Sequence, residues 1–194
     1  MDVNPHTGKV EKTHFLAPAA KWAIVICMVS LLGVIAVNRL TERSLTVCKR
    51  TSQLAMATAV ESAIHNFFTE YGKLPAAGAK VTSDTPEGLR LLQVLLGKES
   101  AGDGSQNPRS IKFLAVKSGE DKRNGLVYAA DGKSLEGLFD SWGNPYTVEI
   151  DADYNELLEF QIGSKTVKLK GRSVAVHSPG PDRKPGTSDD VTTW

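Results

Sequence analysis

The sequence predicts an α+β fold: a long N-terminal helix, part membrane span and part amphipathic spine, packed on a small antiparallel sheet with a C-terminal loop. Three observations predict it. Residues 22–37 (WAIVICMVSLLGVIAV) carry no charge. Residues 41–71 contain neither proline nor glycine and repeat their apolar positions at helical spacing. Beyond residue 110, short β-type runs alternate with Gly, Asp, Asn and Lys clusters. Helices first and strands second is the order of an α+β domain with antiparallel pairing.

The uncharged run is sixteen residues long, about 24 Å of helix against a hydrocarbon core of roughly 30 Å. Adding residues 17–20 lengthens it, with Lys21 the one interruption. A lysine near a helix end can lay its stem along apolar surface, and Trp22 beside it is an interfacial residue type. The run lacks the polar stripe of a core helix, and no small-residue cleavage site follows it. The expectation is therefore an uncleaved membrane helix over 17–37, preceded by a tail at 1–16. Lys9, Lys12 and Lys21 stand before it, and Arg39, Arg43, Lys49 and Arg50 stand after it, so charge leaves its orientation open.

Residues 38–74 read as the spine. Leu54, Ala57, Val60, Ile64, Phe67 or Phe68, and Tyr71 recur every three or four residues, which makes one buried stripe. Gly72 and then Pro75 stop the helix. The head follows over 75–194. Asp84 or Thr85 can cap a second helix, Pro86 suits its first position, and Gly97 closes it. Strands are expected over 111–116, 126–129, 146–150, 158–162, 167–169 and 173–176. In one of them Tyr146, Val148 and Ile150 should face inward, with Thr147 and Glu149 outward.

Composition narrows the function. The 194 residues carry a formal net charge of +1. The only acids before residue 38 are Asp2 and Glu11, so the body is neutral. A neutral body offers no excess for binding nucleic acid. Cys27 and Cys48 on one continuous helix stand too far apart to bridge. His6, His14, His65 and His177 lack the spacing of a zinc site. No G-x-S-x-G elbow, P-loop or H-E-x-x-H occurs. His177 and Ser178, adjacent on a strand, point to opposite faces and cannot act as base and nucleophile. No enzyme and no small-molecule substrate are expected.

The chemistry concentrates near the C-terminus. Asp182, Asp189 and Asp190 lie on a loop rich in proline and glycine. A hard cation such as calcium takes six to eight oxygens, some from backbone carbonyls, and a tight loop supplies both kinds. The same residues also suit a solvated loop in which aspartates favour turns, and spacing alone leaves both readings open. A second acidic group, Asp151, Asp153, Asn155 and Glu156, begins like an EF-hand loop. It has Glu156 where glycine is required and Ile162 where a bidentate acid is required, so it reads as a hairpin turn. The segment Asp140-x-Trp142-Gly143-Asn144-Pro145-Tyr146 reads as a structural corner.

Taken in order, these pieces resemble one family. An apolar helix runs into an amphipathic one ending Tyr71-Gly72-Lys73-Leu74-Pro75. The Asp140 to Tyr146 motif follows, then Ser178-x-Gly180-x-Asp182, Gly186-Thr187-x-Asp189-Asp190 and Trp194. The order is similar to that of the G-type major pseudopilin of type II secretion, a relative of type IV pilins. The resemblance implies a membrane-anchored structural subunit, single-pass in the cytoplasmic membrane, with its N-terminus inside and its head in the periplasm. Implied partners are the lipid bilayer, like subunits, other pseudopilins and proteins of the secretion machinery. It also implies calcium in the loop 178–190, held by the side chains of Asp182, Asp189 and Asp190 and the carbonyls of Pro179 and Lys184. The chain departs from the family in placing Arg183 where glycine is usual. It also has His14 before Phe15 in place of the processing junction, and Ala19 in place of a glutamate. These departures raise an alternative, a non-polymerising membrane-tethered binding module with the same head.

Overall fold

The computed structural model describes residues 18–100, 102 and 104–194. The expected tail at 1–16, Ala17 and the His14–Phe15 junction lie outside the described residues. The chain divides after Leu45 into two compact units, and helix α1 (Pro18–Tyr71) contributes to both. In the first unit Trp22, Met28, Val29, Leu31, Leu32 and Val34 are exposed on the helix.

The membrane span is a correction. Among the described residues no helix is long and apolar enough to cross a membrane. The physical reason lies in the length of the run: about 24 Å of uncharged helix falls short of a roughly 30 Å core. Lys21 bounds it on one side, with Asn38 and Arg39 on the other. The single-pass topology with an inside N-terminus and a periplasmic head falls with it. The expected rod of span plus spine laid on one sheet is also corrected. Only the helix from Thr46 onward belongs with the strands, and these form three separate sheets.

In the second unit, α1 buries Met56, Ala57, Val60, Ala63, Ile64 and Phe67. Leu54 and Phe68 remain exposed, so the stripe turns inward at Phe67. The Phe67 ring lies 4.8 Å from that of Tyr71 and 5.5 Å from that of Phe113, centroid to centroid. At the helix end, the Gly72 amide donates to the Phe68 carbonyl at 2.7 Å. Strand β1 (Lys80–Thr82) precedes helix α2 (Pro86–Leu95). The Thr85 hydroxyl accepts from the Gly88 amide at 3.2 Å, and Pro86 takes the first turn, where a missing N–H costs nothing. Residues 111–116, expected as a strand, are not one. Phe113 and Leu114 both donate to the Leu95 carbonyl at 2.9 Å, so this extended segment closes the end of α2 instead.

The remaining strands are β2 (Gly125–Tyr128), β3 (Leu135–Phe139), β4 (Thr147–Ile150), β5 (Leu157–Ile162), β6 (Lys165–Lys170), β7 (Val174–Ser178) and β8 (Val191–Thr192). The main sheet has the order β1-β4-β7-β8 and is antiparallel throughout. Strands β2 and β3 form one two-stranded ribbon, and β5 and β6 form another. On one face of the main sheet Tyr146, Val148, Ile150, Val174 and Val176 pack into a core with α1, α2 and Leu138. Each such side chain stabilises the fold by about 1.5–3 kcal/mol when fully buried.

The other face carries a second correction. Glu149, expected in solvent, is only 3% exposed because the β5–β6 ribbon covers that face. Leu158, Phe160 and Ile162 of the ribbon pack there with Ala175, Val167, Leu169 and Trp194. Glu149 Oε1 lies 3.3 Å from Lys80 Nζ and 3.5 Å from His177 Nε2. The Asp151 to Glu156 segment is likewise not a hairpin turn, since β4 and β5 do not pair. Its Asp151 carboxylate accepts the amides of Asn155 at 3.1 Å and Glu156 at 2.8 Å, which folds the link from sheet to ribbon.

Candidate functional site

The site is built from the Asp140 corner and the loop between β7 and β8. Asp140 is fully buried. Its Oδ1 accepts the amides of Trp142 and Asn144, both at 2.8 Å. Its Oδ2 accepts the Asn144 side-chain amide at 2.7 Å and the Ser178 hydroxyl. A buried carboxylate persists only when its lone pairs are filled in this way. Asn144 Nδ2 also donates to the Gly180 carbonyl at 2.7 Å. The two late motifs, distant in sequence, therefore bond to each other directly.

Inside the loop, Thr187 is the meeting point. Its hydroxyl lies 2.5 Å from Asp189 Oδ1, 3.3 Å from Asp190 Oδ1 and 3.4 Å from the Lys184 carbonyl. A hydroxyl has one proton to give, so two carboxylates and a carbonyl crowd around a single donor. Asp190 also accepts the amides of Gly186 at 2.7 Å and Thr187 at 3.3 Å. The Thr187 hydroxyl bond is the main force holding the Asp189 carboxyl below the usual carboxylate range. Slight burial opposes it, while the Asp189 and Asp182 amides and the charge of Arg50 assist.

The other expected ligands stand apart from this cluster. Asp182 turns its carboxylate onto the Lys184 amide at 2.8 Å, while its own amide donates to Asp189 Oδ2 at 3.3 Å. The Pro179 carbonyl takes no hydrogen bond among the described residues. No group of three or more His, Cys, Asp or Glu side chains able to hold a metal ion occurs among the described residues. The three aspartates thus do not converge as a trio. Asp189 and Asp190 meet with the Lys184 carbonyl, three hard oxygens against the six to eight that a cation of the calcium type takes.

Arg183 adopts φ +58°, the left-handed region that a glycine would enter freely. Its guanidinium donates to the Trp142 carbonyl at 2.8 Å, fastening the loop to the corner. Sequence reasoning missed Arg50. Its Nη2 donates to the carbonyls of Ser188 and Asp190, both at 3.1 Å, and so ties α1 to the loop. No local pattern signals a contact between residues so far apart in the chain. No family model, no curated protein and no solved structure matches the chain.

Proposed function

We propose that the chain is a non-catalytic structural subunit of the pseudopilin kind, belonging to a type II secretion or type IV pilus-like assembly and stabilised by calcium in its C-terminal loop. The observation that carries this reading is the gathering of the Asp189 and Asp190 carboxylates and the Lys184 carbonyl around the one proton of Thr187. These oxygens accept from the Thr187 hydroxyl and the loop amides and feel the charge of Arg50, and a divalent cation would add to that neutralisation. A divalent cation there would be held by Asp189, Asp190 and the Lys184 carbonyl, and would supply charge neutralisation. Asp182 belongs to the same loop; its Oδ1 accepts the Lys184 amide, which leaves Oδ2 to turn toward an ion. The chain's own residues do the rest: Arg50, Arg183 and Asn144 pin the loop to helix and corner. Association with like subunits runs through the uncharged outer face of α1, where Thr51, Ser52, Ala55, Thr58 and Ser62 are exposed.

Thermal melts of the full chain with chelator and with millimolar calcium test the ion. Calcium at 100 times its dissociation constant adds about 2.7 kcal/mol, and the double change Asp189→Asn, Asp190→Asn should abolish that gain. A melting temperature indifferent to calcium would sink the metal reading. Chemical crosslinking of the full chain tests assembly: ladders of multiples are expected, and monomer at every concentration would refute it.

A further inference from the structure

Three observations converge on the β5–β6 ribbon. First, the ribbon is held to the main sheet by apolar packing and not by hydrogen bonds. Among the described residues, none from Leu158 to Lys170 makes a hydrogen bond outside the ribbon, and it pairs with no strand of the main sheet. Second, the surface beneath it is poorly satisfied. The buried side-chain polar atoms without a hydrogen-bond partner among the described residues are Glu149 Oε1, His177 Nδ1 and His177 Nε2. All three lie under the ribbon, where the Phe160 ring stacks parallel to the His177 imidazole at 6.1 Å and the Trp194 ring meets it edge-on at 5.9 Å. Glu149 Oε1 has only the ion-pair contacts to Lys80 Nζ at 3.3 Å and His177 Nε2 at 3.5 Å, while His177 Nδ1 has no polar partner among the described residues; burial of such weakly satisfied groups costs desolvation that exposure to water relieves.

Third, the ribbon's tip is clasped by the C-terminal loop. A Cβ on Gly163 would stand 2.3 Å from the Pro185 carbonyl oxygen, and one on Gly186 would stand 2.7 Å from the Ile162 carbonyl oxygen. The two backbones touch because both residues lack a side chain. That same loop is anchored elsewhere by Arg50, Arg183 and Asn144.

We propose that the β5–β6 ribbon is a lid, hinged at the 151–156 and 171–173 links and latched at its tip by the C-terminal loop, which lifts to uncover the Glu149–His177 pair while the rest of the head stays folded. Lifting breaks no ladder to the sheet, hydrates His177 Nδ1 and the Glu149–His177 contact, and exposes Leu158, Phe160 and Ile162. Docking restores the apolar contacts and depends on the loop holding its place. The lid does not rest on the calcium reading, and chelator in every sample keeps the two separate.

Native-state hydrogen exchange of the full chain, followed with increasing denaturant, reads the opening directly. Amides bonded across β5 and β6 should exchange at least tenfold faster than those across β4 and β7. Labelling of the His177 imidazole by diethyl pyrocarbonate should follow the ribbon rate. Gly163→Asn keeps a residue tolerant of the left-handed turn but drives a Cβ onto the loop. It should speed ribbon exchange and His177 labelling at least tenfold while leaving β4–β7 exchange unchanged. Gly171→Asn, at the hinge end with φ +68° and open space around its Cβ, should leave both rates as they are. Ribbon and sheet amides of the unaltered chain exchanging through one common opening would overturn the lid, whether or not the variants fold. Equal acceleration by both substitutions would overturn the latch.

Discussion

Tyr146 links the corner to the helix through a single proton. Fully buried, it donates to Gln53 Oε1 at 2.9 Å, and Gln53 passes its own side-chain amide to the Ser141 hydroxyl. Burial, and then the charge of Asp140, push the phenol above its ordinary range. A raised value means that the folded chain keeps a proton which the unfolded chain loses near pH 10. This contribution to stability is therefore intact below about pH 10 and declines as pH rises further. Tyr146→Phe should flatten that alkaline decline in denaturant melts. At neutral pH it should cost about 1–3 kcal/mol, because Gln53 Oε1 loses its donor. A variant that declines as steeply as the parent would assign the alkaline limb to other groups. Tyrosine at this position is readable from the sequence as inward-facing; the glutamine that receives it is not, because nothing in a run of helix marks one polar residue as buried.

Among the elements, α1 of the head owes its place to packing rather than propensity. Phe67, fully buried, ends its buried stripe against Tyr71 and Phe113. Phe67→Ala should lower stability by about 3–5 kcal/mol in urea titration. Leu54→Ala, on the exposed side, should stay within about 0.5 kcal/mol. Equal losses at the two positions would contradict the docked face. The helices were legible because several turns repeat one period and Thr85-Pro86 announces a start. Strand β4 was legible by its alternation, although not the burial of Glu149, since a pattern of two says nothing about a ribbon arriving to cover the second face. Strands β1 and β8 are three and two residues long, too short to show any period. Strand β3 has Gly137 at its middle and a register shift against β2, which breaks the alternation a reader would need.

At the scale of the whole molecule, the buried residues described begin at Gln53 and all belong to the unit that starts at Thr46. A fragment of residues 46–194 should therefore fold alone, with the same cooperative melt as the head within the full chain. Loss of that melt would place essential packing before residue 46. The loop motif was legible as chemistry, because aspartates with proline and glycine restrict what the backbone can do. Which acids meet was not legible: Asp189 and Asp190 gather at Thr187, whereas Asp182 caps its own turn. That outcome depends on the path of the backbone.

The bond from Arg50 to the carbonyls of Ser188 and Asp190 spans 138 and 140 residues of sequence. A contact of such separation must await synthesis of everything between its partners, and closing so large a circuit is slow compared with forming a helix turn. That cost allows the α1 stripe and local hairpins to form while the seam between Arg50 and the C-terminal loop is still open. Until that seam shuts, the surface around Arg50 that receives the Ser188 and Asp190 carbonyls stays open to water, and a chain halted before residue 188 cannot close it.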